Sequence, residues 1–365
     1  MGAVYAAAFA AALVGALLAT PVARKVALRL DIVDLPAARK IHTDPIPYLG
    51  GLAIILAFVG AMVLGVIVHP LTGSYEQVAT ILGGGLVLAG MGLVDDLKVV
   101  PGWIKVPLEI VAGLALYAAG VAAHPFKNIA LDLPLNVAWV VGVTNAVNYM
   151  DNMDGLSAGV VAIAALYFFA LAGLSGQILV ASLAAALTGC ALGFLWWNRP
   201  PARIFMGDTG SLFLGFMLAA IGLKLRFHNL PDRVGFLVPI AVMAIPILDA
   251  LMVSVSRVQR GLSPIHPGKD HTSHRLVRVG IPSKAAVGLI YFASASCGWL
   301  GVIIVYASPR TAYLLMGWLV VMALFFGWLL LRVKVESKVE SKAVESKVLG
   351  SKAVELKAKP KVKSK

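Results

Sequence analysis

The sequence predicts an all-α, polytopic membrane protein of about eleven transmembrane helices, N-terminus outside and C-terminus cytoplasmic, and three observations carry that reading. Of 365 residues, 59% are hydrophobic and 13% charged, with a mean hydropathy of +0.87. A soluble core of this size cannot bury so much apolar side chain, which leaves lipid as the remaining solvent. The apolar residues also gather into stretches close to the roughly 20 residues that a spanning helix needs: 3–21, 49–68, 77–94, 106–123, 134–147, 158–174, 178–196, 211–223, 234–255, 285–306 and 312–331. Finally, with the N-terminus outside, 26 of the 31 lysines and arginines fall on the inner connections or the C-terminal tail. Short cytoplasmic loops collect cations in this way.

The first stretch reads as a retained helix rather than a signal peptide. No basic region precedes it, and Arg24, Lys25 and Arg29 follow it. Cys190 and Cys297 stand singly inside apolar runs, so they read as packing residues and not as a disulfide or thiolate site. Residues 1–332 form the transmembrane catalytic domain in this reading. Residues 333–365 form a basic, low-complexity cytoplasmic tail with three Val-Glu-Ser-Lys repeats, at 335–338, 339–342 and 344–347. Such a tail can lie on anionic lipid headgroups, although a solvated charged tail with no specific role is the simpler reading. The net charge of +13 is partly this tail and gives no reason to propose nucleic acid.

Every dense polar cluster lies on an inner connection, where ionisable groups beside a bilayer are expected to face a polar cavity or one another. The first connection carries Arg39, Lys40 and His42, cations placed to meet a lipid phosphate at the leaflet surface, although positive-inside topology accounts for them equally well. The second holds Asp95 and Asp96 at the end of an apolar helix and reaches Lys105. Adjacent carboxylates suit a hard cation such as Mg²⁺, or one metal ligand beside one general base, although a pair of helix-end acids solvated at the interface is the simpler reading of these two alone.

In the third, Asn145, Asn148, Asp151 and Asp154 recur at intervals of three and would form one polar stripe on a helix. Amides there can hold phosphate or sugar oxygens while carboxylates hold metal. The fourth contains Gly207-Asp208-Thr209-Gly210-Ser211, with glycines that admit a close ligand and an aspartate at a helix start, suited to a metal that bridges phosphates or to an ordinary helix cap. The fifth presents His271, His274 and Arg275, suited to a nucleotide diphosphate. Asp249, inside the ninth stretch, needs a partner that the sequence does not name, and a structural hydrogen bond is the favoured role.

Together these loops resemble the polyprenyl-phosphate N-acetylhexosamine-1-phosphate transferase superfamily, the glycosyltransferase 4 family, and most of all its branch acting on undecaprenyl phosphate. The resemblance spans about residues 30–280 and rests on RKIHTDPIPYLGG at 39–51, GLVDD at 92–96, NAVNYMDNMDG at 145–155, RIFMGDTGSL at 203–212 and SPIHPGKDHTSHRL at 263–276. It implies a Mg²⁺-dependent enzyme, with Mn²⁺ as an allowed substitute, in the cytoplasmic membrane. That enzyme moves GlcNAc 1-phosphate, or a related N-acetylhexosamine 1-phosphate, from a UDP-sugar to undecaprenyl phosphate, releases UMP and initiates a cell-envelope polysaccharide.

Carried onto matching positions, Asp95 and Asp96 are the aspartate pair, with Asp95 the candidate base. Asp208 is the principal metal ligand, joined by Asp151. Asn145, Asn148 and Asp154 line the site, and His271, His274 and Arg275 contact the UDP-sugar. Arg39, Lys40, His42 and Lys105 receive the lipid phosphate. The chain departs from relatives with a longer histidine cluster by placing Thr272 and Ser273 between His271 and His274. Transfer of phospho-MurNAc-pentapeptide stays open as an alternative. A secondary transporter using Asp151, Asp154 and Asp249 is disfavoured by the absence of a visible internal repeat, and a homodimer is left open.

Overall fold

The computed structural model describes residues 2–34, 45–68, 73–98, 100–263 and 268–333. Arg39, Lys40, His42 and the repeat-bearing tail lie outside them. Helices α1 (Gly2–Arg29), α2 (Gly50–Val68), α3 (Tyr75–Leu97), α4 (Gly102–Ala118), α5 (Ile129–Tyr149), α6 (Leu156–Leu174), α7 (Ile178–Asn198) and α8 (Gly207–Lys224) come first. After them run α9 (Asp232–Gly235), α10 (Leu237–Val242), α11 (Ala244–Gln259), α12 (Thr272–Arg278), α13 (Ser283–Tyr306) and α14 (Pro309–Leu331). Each of the eleven apolar stretches is therefore helical over most of its length. Among the described residues, eight helices (α1, α2, α3, α5, α6, α7, α13 and α14) are long and apolar enough to cross a membrane. The chain is a multi-pass membrane protein.

The remaining stretches depart from simple spans for local reasons. Residues 234–255, read as one helix, are broken, and the 232–242 segment meets the 244–259 segment at 73°. Pro246 cannot donate to the Val242 carbonyl and its ring crowds that turn, so the ladder breaks at Met243. Helix α4 has 17 residues and starts early enough to contain Lys105, while α8 starts at Gly207 and takes in the polar Gly-Asp-Thr-Gly turn. Apolarity alone does not mark a helix end. A two-residue antiparallel ladder, β1 (Val33–Asp34) with β2 (Ile46–Pro47), adds a trace of sheet that the all-α expectation lacked.

Helix α8 is the axis of the bundle. From Gly207 to Leu223 only Asp208 is not buried, and α2, α3, α5, α6 and α7 surround the helix. Helix α14 is the converse. It buries only Ala312 and Gly327 and shows Leu314, Trp318, Val321, Leu324 and Phe326 on its outside, an inversion suited to a lipid surround. The first turn of α8 thus opens among the ends of α3, α4 and α5.

Candidate active site

The N-terminus of α8 gathers the acidic residues. Its exposed N–H groups carry partial positive charge, and Asp96 from α3 satisfies them. Asp96 Oδ1 accepts from the Asp208 N–H at 2.7 Å, and Oδ2 accepts from the Thr209 N–H at 3.1 Å and the Thr209 hydroxyl at 2.6 Å. The approach depends on two glycines. Gly207 holds φ +67°, and a Cβ there would strike the Asp96 carboxylate; a Cβ on Gly92 would strike the Asp208 backbone. Asp96, placed with the catalytic residues from sequence, therefore caps α8 with both oxygens.

Asp208 stands at the centre of the cluster. Its Oδ2 accepts from the Lys105 ammonium at 2.8 Å and its Oδ1 from the Asn148 amide at 3.0 Å. Lys105 also pairs with Asp95, whose other oxygen accepts from the Val100 N–H. One ammonium from α4 thus joins the carboxylates of α3 and α8. Asn148 spends its second amide hydrogen on Ser211 Oγ at 2.8 Å, and Asn145 gives its two to buried Glu109 and to the Val141 carbonyl. These amides, expected to meet ligand oxygens, donate to protein. What they fix is the orientation of Asp208 and of α4.

The anticipated polar stripe of one helix stops halfway, because α5 ends at Tyr149. Asp151 and Asp154 occupy the following turn, which closes on Gly155 at φ +77°. Asp154 Oδ2 accepts from the Ala202 N–H at 2.9 Å, and Asn198 Oδ1 accepts from the Gly155 N–H at 2.9 Å, tying this turn to the 198–206 loop. Burial, followed by the charges of Asp208, Asp96 and Asp154, lifts the Asp151 carboxyl to about 8.

Beside that turn opens a cavity of about 540 Å³. Asp34, Asp151 and Asp154 line it together with the amide-bearing Asn152 and Asn198, the cations Lys269 and Lys284, His274, and the rings of Tyr48 and Phe205, whose centroids are 6.0 Å apart. Apolar walls carrying a few convergent polar groups are the usual form of a small-molecule site. Lys269, Lys284, Asn198, Asp34 and the two rings were not singled out from sequence. The only signal for them was adjacency: Lys269 lies two residues before His271, and Asn198 ends α7.

The last inner loop divides its residues between the cavity wall and the scaffold. His271 Nδ1 lies 2.9 Å from Asp249 Oδ2, whose second oxygen accepts from the Thr272 N–H at 2.6 Å, which supplies the partner Asp249 required. With Nδ1–H donating to the carboxylate, Nε2 is the ring atom left for a ligand. Burial and the neighbouring positive groups His271, Lys269 and Arg278 depress His274 to about 4, so it is neutral at neutral pH.

Arg275 turns away from the cavity. It is buried and donates to Ser256 Oγ at 2.7 Å and to the carbonyls of Asp270, Leu330 and Val333 at 2.8, 2.9 and 3.0 Å, anchoring the end of α14. Asp270 would be raised by burial, but the bidentate hydrogen bonds and charge of Arg257, with His271 and Arg260 beside it, bring it below the usual carboxylate range. Replacing Asp249 with Asn should swap an acceptor for a donor opposite His271 Nδ1. If the loop binds a substrate, we expect a fall in kcat/KM of about tenfold to a hundredfold, the usual worth of an orienting partner, expressed chiefly as a higher KM. Unaltered kinetics would make the pair purely structural.

Residues 78–226 match the family model described as glycosyl transferase family 4. A probable undecaprenyl-phosphate N-acetylglucosaminyl 1-phosphate transferase of Bacillus subtilis is 32% identical over 74% of this chain and 77% of its own. A decaprenyl-phosphate N-acetylglucosaminephosphotransferase of Mycobacterium tuberculosis is 33% identical over 83% of each chain. A phospho-N-acetylmuramoyl-pentapeptide-transferase of Heliobacterium modesticaldum is 31% identical over 71% of this chain and 83% of its own. The matched segment holds the Asp95, Lys105, Asn148 and Asp208 cluster, and similarity continues well beyond it at this level of identity: the chain belongs to glycosyl transferase family 4.

Proposed function

We propose that this protein transfers GlcNAc 1-phosphate from UDP-GlcNAc to undecaprenyl phosphate at the cytoplasmic face of the membrane, across eleven spans with the N-terminus outside. The observation that carries the reading is a cavity that Asp151, Asp154, Lys269 and two aromatic rings line, with Asp151 in the field of the Asp208 and Asp96 carboxylates. The names of the Bacillus and Mycobacterium relatives support the same donor and acceptor.

In the reaction, an oxygen of the lipid phosphate attacks the sugar-bearing phosphorus of the donor. The bond to the other phosphate breaks, and UMP leaves with that oxygen. Asp95 takes any proton the lipid phosphate still carries, and Lys105 holds Asp95 and Asp208 ionised and offers positive charge to the incoming phosphate. Lys269 and the Nε2 of His271, whose ring packs on the cavity-lining His274, hold the donor diphosphate.

The donor set fits Mg²⁺. It is all carboxylate oxygen, and among the described residues no three His, Cys, Asp or Glu side chains form a ready cage. Mg²⁺ takes one or two carboxylates together with substrate phosphates, so Asp208 and Asp151 would hold it. Bound there, it neutralises the diphosphate charge.

Purified full-length protein given Mg²⁺, undecaprenyl phosphate and a panel of UDP-sugars should release UMP with UDP-GlcNAc only when the lipid is present. The Heliobacterium relative favours a second reading, phospho-MurNAc-pentapeptide transfer. UMP release from UDP-MurNAc-pentapeptide alone would establish that reading in place of the first. Arg39→Ala is expected to raise the apparent KM for undecaprenyl phosphate about fivefold, the worth of one cation at an anionic surface, and to leave that for the UDP-sugar unchanged. The opposite split would move Arg39 to the donor side.

A further inference from the structure

A second depression lies outside the reaction cavity. Between the last turns of α7 and the first turns of α13 runs a groove of about 390 Å³, walled by Leu192, Leu195, Trp196 and Val287 and flanked by Arg199 and Lys284. Both helices are among the membrane-crossing candidates. The Arg199 guanidinium sits 3.7 Å above the centre of the Trp196 ring, and that ring is half exposed. Among the described residues neither Arg199 nor Lys284 makes an ion pair. Two cations that form no ion pair among the described residues, at the polar end of a groove lined by hydrocarbon, call for an amphiphile with an anionic head. A soluble anion would leave the groove empty, and a neutral lipid would leave both cations unmet.

We infer that this groove is a binding site for an anionic membrane phospholipid, its phosphate between Arg199 and Lys284 and an acyl chain along Leu195 and Leu192. The acceptor of the proposed reaction is a different lipid, because its phosphate must reach Lys105. Lys105 lines neither the groove nor the cavity. The groove and the cavity share Pro200, Lys284 and Val287, so the phospholipid forms part of the outer wall of the donor site.

Native mass spectrometry of the purified full-length protein, titrated separately with phosphatidylglycerol, phosphatidylcholine and undecaprenyl phosphate, tests this. The wild type should retain one phosphatidylglycerol in preference to phosphatidylcholine. Arg199→Gln should weaken that retention roughly fivefold, one cation's worth, and Leu192→Trp, which fills the groove, should weaken it without touching a charge. Both variants should bind undecaprenyl phosphate as the wild type does and release UMP normally in phosphatidylcholine, which separates a lost site from a lost fold. Equal retention of the two phospholipids, or unchanged phosphatidylglycerol retention in both variants, overturns the assignment. Selective loss of undecaprenyl phosphate would also overturn it, by making the groove an acceptor port.

Discussion

Asp208→Asn is expected to reduce UMP release at least about a hundredfold while the protein folds and melts as the wild type does. Asp208 receives Lys105 on one oxygen and Asn148 on the other. An amide of the same shape accepts on one side only and turns an N–H against the second donor. The substitution also removes the negative charge that would share a metal with Asp151, and it leaves Lys105 paired to Asp95 alone. Stability should change little, because the N–H groups of the first turn of α8 are satisfied by Asp96 and not by the Asp208 side chain. Mg²⁺ titrations of UMP release alongside thermal melts check both halves. Turnover near the wild-type rate would take Asp208 out of the centre.

The helices were legible because lipid imposes one simple demand, a long apolar run, and each such run is helical over most of its length. What hydropathy could not show is backbone geometry. The bend at Met243 depends on the ring of Pro246, and the polar first turn of α8 is helical because Asp96 closes it from a different helix. In the site, residue types named loops that the structure brings together, but not which side chains pair within them. Asp95 and Asp96 are neighbours in sequence, yet one meets Lys105 and the other caps α8. Arg275 follows His274 directly, yet the histidine lines the cavity and the arginine holds α14. Pairings over a hundred residues apart, such as Lys105 with Asp208, leave no periodic trace in a single chain.

The division between Asp95 and Asp96 leads to the second large effect. Asp96→Ala should destabilise the fold by about 2 kcal/mol, the upper range for loss of a helix cap, and should abolish activity as a consequence. Alanine leaves the Asp208 and Thr209 N–H groups and the Thr209 hydroxyl without the acceptor that all three share, and unsatisfied donors at a half-buried helix start are costly. The first turn of α8 then loosens, and with it the Asp208 carboxylate that Lys105 and Asn148 hold. Asp96→Asn keeps one acceptor oxygen, so it should recover part of the melting midpoint and part of the rate in step. That coupling separates a cap from a reacting group: Asp208→Asn loses rate at constant stability, whereas the Asp96 variants lose both together. If Asp96→Ala melted like the wild type but was inactive, its carboxylate would belong to the chemistry, and α8 would owe its position to packing alone.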